Sequence, residues 1–184
     1  MKILLWEVCL LRAPAVVRYC KRCERKTEFV SSGLFRVNAQ QKNLDIWLVY
    51  KCRACDTTWN LTVLSRVNPQ SIAHDLLERY MSNDYELAMK HAADSALIKQ
   101  TGAKCNIADV CVVGQDYFWD EPVKIRLTSK WSPENKISSI IRQKLNISGN
   151  SFSKLLVECK ITCLSGHNLK KSKMNDAIIL QITP

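Results

Sequence analysis

The sequence predicts a mixed α+β protein built in three parts along the chain. Two matching Cys-x-x-Cys pairs lie among strand-forming residues in the first part, residues 1–66. Apolar residues recur at helical spacing in an acidic middle part, residues 67–121. A strand, two short helices and two further strands are expected in the last part, residues 122–184. The periods of these patterns, near 2 and near 3.6, decide between strand and helix in each part.

The four cysteines of the first part have the spacing of metal ligands. Cys20 and Cys23 form one pair, and Cys52 and Cys55 form the other. Two residues between cysteines let one tight turn direct both thiolates at a single ion, and two such turns give the tetrahedral sulfur site that Zn²⁺ prefers. The pairs hold no histidine or carboxylate between their cysteines, which predicts a closed, structural zinc site in a zinc ribbon. The alternatives are redox-active Cys-x-x-Cys motifs or disulfides.

The segment between the two cysteine pairs predicts a long β-hairpin. It covers residues 24–51, which exceeds the roughly 15–20 residues common between such pairs. Residues 31–33, Ser-Ser-Gly, predict a turn between two short strands, and residues 44–50 predict a strand that leads into Cys52. Trp47 and Trp59 are expected in the core of this module, because a small module has few other large apolar side chains to bury.

The middle part predicts helices. Asn68 followed by Pro69 is typical of a helix start, and Gly102 marks the end of the helical region. This part holds 4 basic and 9 acidic side chains, whereas residues 1–66 hold 12 and 5 and residues 122–184 hold 11 and 3. An acidic surface repels phosphate, so the helices are expected to act as a spacer or packing element, and the two basic parts are expected to contact a phosphate-bearing partner.

The last part contains a pattern that resembles a known RNA-binding fold. Residues 146–182 read NISGNSFSKLLVECKITCLSGHNLKKSKMNDAIILQI. This order of helix, strand, turn, basic loop and strand resembles the RNA-binding fold of ribosomal small-subunit protein four. In that comparison Ser151 begins the helix, Ser165-Gly166 form the turn, and Asn175-Asp176 precede the last strand. Gly149-Asn150 stand where the family has an arginine, and Cys159 replaces a common glycine.

Basic and polar side chains in both flanking parts are the predicted contacts to RNA. Such contacts grip the phosphate backbone and carry little base information, which suits structured RNA, either ribosomal or transfer RNA, recognised by shape. In the last part the predicted contacts are Lys136, Arg142, Lys144, Asn150, Ser151, Lys154, Lys170, Lys171 and Lys173. Beside the cysteine pairs they are Lys21, Arg22 and Arg53.

A second resemblance covers most of the chain. Residues 35–60, FRVNAQQKNLDIWLVYKCRACDTTWN, resemble the bacterial family of domains of unknown function DUF1062. This resemblance implies a bacterial protein and implies no activity.

The remaining observations limit the class of function. The three histidines have no cysteine or carboxylate near them in a recognisable catalytic arrangement, so the protein is not expected to be an enzyme. Charged residues interrupt the apolar N-terminus, so neither export nor a membrane span is expected. The cysteine usage fits a cytoplasmic protein. Two alternatives to RNA binding stay open, namely a zinc-ribbon regulator that binds DNA or a protein partner, and a small zinc enzyme.

Overall fold

The computed structural model describes residues 1–40, 43–131, 134–174 and 177–184. The strands in these ranges are β1 (Lys2–Leu10), β2 (Val16–Cys20), β3 (Arg25–Gln40), β4 (Asn43–Cys52), β5 (Thr58–Val67), β6 (Lys104–Cys105), β7 (Val110–Gly114), β8 (Val123–Ser129), β9 (Ile161–Cys163) and β10 (Ile178–Ile182). The helices are α1 (His74–Met81), α2 (Tyr85–Ala93), α3 (Ser95–Gln100), α4 (Ile137–Leu145) and α5 (Gly149–Val157). The fold is therefore α+β, with two five-stranded sheets.

The first sheet belongs to a unit made of residues 1–11 and 108–184. Its strand order is β7-β1-β8-β10-β9, in which only the β1–β8 pair is parallel among the described strands. The two helices of this unit contribute their apolar stripes to the core, as Ile140 of α4 and Phe152 of α5 illustrate. These side chains meet Trp6, Ile125 and Leu180 from the central strands, and all five are buried.

One strand shows how the first sheet divides its two faces. In β1, Trp6 and its alternate neighbours are buried, whereas Ile3 and Leu5 are 63% and 66% exposed. Successive side chains of a strand point to opposite faces, so this apolar strand covers the core with one face and leaves the other open to solvent.

The second sheet belongs to a unit made of residues 12–107, with the strand order β5-β4-β3-β2-β6. Alternate residues of β4 are buried from Leu44 to Cys52, and Tyr50 lies among them with no exposed surface. Ala88, Ala92 and Ile98 of the helices complete this core. Trp59 packs against the same core, but Trp47 differs from the prediction, because its odd position in β4 places it on the opposite face.

The predicted turn at residues 31–33 is a bulge within one long strand. The β3–β4 register shifts between Ser31 and Phe35, and Gly33 adopts a φ of 74° there. The Ser32 hydroxyl donates a hydrogen bond to the Val49 carbonyl over 2.8 Å, which keeps the bulged segment joined to β4. Glycine and serine favour a turn in sequence, but cross-strand bonds hold them in the ladder here.

Aspartates cap two of the helices in the acidic middle segment. Asp84 accepts a hydrogen bond from the Leu87 amide at the start of α2, and Asp94 accepts bonds from the Ala96 and Leu97 amides at the start of α3. Part of the acidity of this segment therefore serves helix capping, since a carboxylate satisfies amides that have no partner within the helix.

The structure divides the chain differently from the three parts expected from sequence. Strand β1 pairs with β7 and β8 rather than with the strands of residues 12–66, and residues 108–121 join the first unit. Residues 122–184 likewise share their sheet with β1 and β7 instead of forming a module alone. The cause is long-range pairing, which a local pattern does not specify.

Among the described residues, none of the helices has both the length and the apolar character that crossing a membrane requires.

Candidate metal centre and basic surfaces

Two similar turns position the four paired cysteines. Cys20 is the last residue of β2 and Cys52 is the last residue of β4, so each strand delivers one thiol to its turn. In both turns the residue after the second cysteine has a left-handed backbone, with a φ of 53° at Glu24 and 64° at Asp56. This reversal leads each chain directly into the next strand, β3 or β5.

The four thiols form one cluster, as the spacing predicts. Their sulfur atoms all lie within 4.8 Å of one another, with 3.5 Å between Cys20 and Cys55 and 3.9 Å between Cys23 and Cys52. A tetrahedral zinc site with Zn–S bonds of about 2.3 Å has sulfur–sulfur separations of about 3.8 Å. The four thiols therefore fit a zinc ion bound by sulfur alone.

Neighbouring hydroxyls stabilise the ionised forms of two of these thiols. Thr27 Oγ1 lies 3.3 Å from Cys52 Sγ, and this hydrogen bond, with those of nearby backbone amides, lowers the pKa of Cys52 to about 6. Thr57 Oγ1 lies 3.1 Å from Cys55 Sγ and lowers the pKa of that thiol. Hydrogen bonding to Cys55, together with burial, raises the pKa of Cys23 to about 12. Metal ions bind thiolates, and these hydroxyls favour that form.

An arginine outside the predicted RNA contacts lies on the same strand face as Cys20. The Arg18 guanidinium carbon is 4.2 Å from the centroid of the Trp59 ring and 5.7 Å from that of Phe29. Burial lowers the pKa of Arg18, and the negative charge of the Cys20 thiolate opposes this effect. A zinc ion with four thiolates carries a net charge of −2, which a stacked guanidinium partly offsets. The alternation of Val16, Arg18 and Cys20 along β2 is the signal that places it there.

The predicted RNA contacts beside the metal centre differ in their availability. Lys21 and Arg22 are exposed in the first turn, and Arg22 also donates to the Cys55 carbonyl over 3.4 Å. Arg53 forms an ion pair of 2.6 Å with Glu28, so its charge is partly neutralised. Lys21 and Arg22 are thus the freer of the three basic side chains here.

A second basic group lies in the first unit, on the loop before β10. Lys136 and Lys173 pair as an isolated antiparallel bridge, and the Ile137 amide bonds to the Ser172 carbonyl over 3.1 Å. Asn168 accepts hydrogen bonds from the amides of Lys170 and Lys171, so the loop has a defined turn. We name Lys136, Lys170, Lys171 and Lys173 the loop cluster. Lys173 also contacts the Glu134 carboxylate, which reduces its free charge.

Lys144 is less available than the sequence predicts. Its side chain is only 11% exposed, and its ammonium bonds to Asp116 over 2.6 Å and to the Gly114 carbonyl over 2.9 Å. It also lies 5.9 Å from the ring centroid of Trp6. These contacts give Lys144 a structural role that joins α4 to the end of β7.

The start of α5 lies next to one predicted arginine. Ser148 caps the helix by accepting from the Ser151 amide, and the two hydroxyls are 2.8 Å apart. A Cβ added at Gly149 would lie 3.5 Å from Arg142 Nη1, so this guanidinium stands beside the first turn. Asn150 is exposed there, and Lys154 is exposed with Glu158 at 3.8 Å. Asn175 and Asp176 lie outside the described residues.

Comparisons with known proteins identify the family of this chain and give no activity. Neither the curated proteins nor the solved structures include a match. The comparisons do not support the resemblance of residues 146–182 to ribosomal small-subunit protein four. One family model matches residues 37–167, which include the second cysteine pair. This match covers more than half of the chain, and the chain therefore belongs to the family described as protein of unknown function (DUF1062).

Proposed function

We propose that this protein is a cytoplasmic, zinc-containing RNA-binding protein that contacts structured RNA through basic surfaces. The zinc ion has a structural role in the second unit, where Cys20, Cys23, Cys52 and Cys55 hold it as a closed zinc ribbon. Four sulfur ligands leave no position for a water or substrate, and this favours a structural role over catalysis.

The loop cluster is the observation that carries the RNA proposal. Its members come from two segments that hydrogen bonds fix side by side, at Lys136 and at Lys170–Lys173. In the described part of the chain, Lys136, Lys170 and Lys171 are exposed and have no carboxylate partner. Exposed ammonium groups on two adjoining segments neutralise phosphates and release their counterions, which drives binding to nucleic acid.

The chemistry of this cluster favours shape recognition over base reading. Lysine presents a point charge that binds phosphate, whereas base reading uses planar side chains such as arginine, asparagine and glutamine in a groove. Contacts of this kind position a backbone, and folded RNA offers backbones in fixed relative positions. Arg142 beside the first turn of α5 adds one further cation at a helix N-terminus, an end that favours anions.

The test is the salt dependence of binding to folded RNA. Zinc-loaded protein is titrated into a labelled transfer RNA and into DNA duplex and single strands of equal length, at several salt concentrations. Changing Lys170 and Lys171 together to Ala is expected to weaken RNA binding and to reduce the slope of log K against log salt by about two. The matched control replaces Lys90 and Lys104, two exposed lysines of the second unit that are outside the predicted set.

Two results would count against the proposal. Equal losses in the two double variants would show that net charge, rather than the loop cluster, governs binding. If wild-type protein that has been freed of bound nucleic acid shows no salt-dependent affinity for the RNA, RNA binding is excluded.

One observation favours a protein partner as the second candidate. The open face of the first sheet exposes Ile3 and Leu5 of β1, and Val113 of the adjacent strand β7 is 50% exposed. Neighbouring apolar side chains on an open sheet face are typical of interaction surfaces. Binding to such a partner would change little with salt, which distinguishes it from RNA binding in the same titrations.

A further inference from the structure

We propose that Cys9 and Cys111 form a second cysteine site, a redox-active dithiol that thiol–disulfide exchange converts to a disulfide. The two residues lie directly opposite each other on the antiparallel strands β1 and β7 of the first unit. Side chains opposite each other in a sheet point to the same face. The two cysteines are 102 residues apart in sequence, so only the register of the sheet shows that they are neighbours.

The position of the pair in the ladder decides the geometry of the disulfide. The Leu11 amide donates to the carbonyl of Asp109 over 2.9 Å, which marks these two residues as a hydrogen-bonded pair. Hydrogen-bonded and non-hydrogen-bonded pairs alternate, and two steps along the register place Cys9 and Cys111 in a hydrogen-bonded pair. Cα atoms in such pairs are about 5.5 Å apart, within the range of about 4.4–6.8 Å that disulfides span.

The same geometry predicts a reducible bond. Side chains in hydrogen-bonded pairs stand farther apart than those in the alternating pairs, whereas a disulfide brings its Cβ atoms to about 3.8 Å. The strands must therefore adjust to close the bond. Disulfides formed under such strain are reduced more readily than relaxed structural ones, and this is the behaviour of a reversible site.

The surroundings of the pair support a thiol function rather than a metal site. Both side chains are partly exposed, so a small disulfide has access to them. Among the described residues, no histidine, carboxylate or further cysteine joins them in a group of three possible metal ligands. Partial burial, the Glu7 carboxylate and the nearby Cys111 raise the pKa of Cys9, so attack by its thiolate is favoured at alkaline pH.

The reaction balances with a low-molecular-weight disulfide of the glutathione type as the oxidant. One protein thiolate attacks a sulfur of that disulfide, forms a mixed disulfide and expels one small thiolate. The second protein thiolate then attacks the protein sulfur of the mixed disulfide, forms the Cys9–Cys111 bond and expels the other small thiolate. Two protein thiols lose two electrons and two protons, and the oxidant becomes two small thiols.

Closing this bond would join the two strands through which the chain leaves and re-enters the first unit. Residues 12–107, which form the whole second unit, lie between Leu11 and the residues that lead into β7. The disulfide would close a loop of about 100 residues, a length at which a cross-link strongly restricts the unfolded chain. Oxidation therefore couples the redox state to the stability of the first unit.

The test measures the two thiols individually in the zinc-loaded protein. Samples are equilibrated in buffers of increasing ratio of oxidised to reduced glutathione, alkylated, and digested with trypsin. Cys9 lies in the peptide of residues 3–12 and Cys111 in that of residues 105–124. Because Cys105 shares the second peptide, fragmentation between residues 105 and 111 assigns the linked sulfur. Alkylation of Cys9 and Cys111 is expected to fall together, with a linked peptide in their place and zinc content unchanged.

Matched variants and one direct outcome decide the proposal. Cys159, the exposed cysteine after α5, is the control, and its change to Ser is expected to leave the linked peptide unaffected. Cys9→Ala or Cys111→Ala should abolish the linked peptide and leave the other cysteine as a mixed disulfide. The proposal is overturned if Cys9 and Cys111 in wild-type protein stay alkylated at the most oxidising ratio, or if they lose alkylation independently without forming the linked peptide.

Discussion

Single side chains around the metal centre set its acid–base chemistry. Thr27 and Thr57 each place a hydroxyl next to one thiol, and each hydroxyl lowers the pKa of that thiol. Arg18 adds a cation stacked on Trp59. Groups of this kind orient metal ligands and keep them ionised, so they are expected to determine metal affinity as well as geometry.

Replacing Thr27 by Val tests this role. Valine keeps the shape of the side chain and removes the hydroxyl that lies 3.3 Å from Cys52 Sγ. We expect zinc affinity to fall about 10–100-fold, the usual range for losing a hydrogen bond to a metal ligand, while the zinc-loaded fold is kept. Competition with a chromophoric chelator measures the affinity. Thr62→Val, an exposed threonine of β5, is the control, and an equal loss in both variants would contradict the prediction.

His91 gives a pH dependence whose sign follows from its burial. Its ring stacks on Tyr80 at 5.7 Å, and its Nε2 is 2.9 Å from the Tyr80 hydroxyl. Burial lowers the pKa of His91 below 6.5, Lys90 lowers it further, and Asp94 opposes them. The unfolded chain therefore takes up a proton before the folded protein does, and stability decreases as pH falls below 6.5.

The difference between wild type and His91→Gln isolates this effect. Urea unfolding is measured between pH 5 and pH 8. As the pH falls, the urea concentration at the unfolding midpoint should decrease less for the variant than for wild type. His74→Gln serves as the control, since His74 is exposed on α1. A parallel pH profile in wild type and His91→Gln would exclude the proposed role.

At the level of strands and helices, Gly114 limits how β7 lies against β1. Its φ is 126°, and a Cβ there would be 2.1 Å from the Leu5 carbonyl oxygen and 2.9 Å from Trp6 Cδ1. The Trp6 indole donates to the Gln115 carbonyl over 2.8 Å, directly after this close approach. The backbones can meet in this way only where no side chain stands between them.

Gly114→Ala is therefore expected to cost more stability than another glycine change in the same unit. Gly166 has a φ of 76° with open space around the Cβ position, so Gly166→Ala should cost about 1–2 kcal/mol from its backbone alone. Gly114→Ala adds a clash with backbone atoms and should exceed that cost by about 1–3 kcal/mol. Denaturant unfolding followed by circular dichroism checks this order. Equal costs would show that β7 shifts freely.

Elements defined by local patterns could be predicted from sequence, whereas partners distant in the chain could not. The stripes of Ile140 and Phe152 are buried as their helical spacing predicts. The two cysteine pairs meet because the intervening strand β3 pairs with both β2 and β4, as the predicted hairpin requires. The parallel pairing of β1 with β8 joins segments more than 100 residues apart, and no pattern in either strand names its partner. For the same reason no local pattern predicts the ion pair of Lys144 with Asp116.

On the scale of the whole molecule, each unit has a core of its own. The first unit buries residues such as Trp6 and Ile125, and the second buries residues such as Leu48 and Ile46. The proposed zinc ion belongs to the second unit alone, since all four thiols lie within residues 12–107. Metal binding and folding are coupled in small metal-binding modules, so the effect of the ion is expected to be confined to that unit.

Removing zinc should therefore loosen one unit and spare the other. Hydrogen exchange followed by mass spectrometry, with and without a strong chelator, measures amide protection along the chain. We expect amides of β2–β5 to lose protection, first near Cys20 and Cys52, while those of β1, β8 and β10 keep it. Cys52→Ser should reproduce the exchange pattern of the chelated protein. Loss of protection in both units together would show that they unfold as one, and unchanged protection in both would show that the cysteine cluster does not depend on a metal.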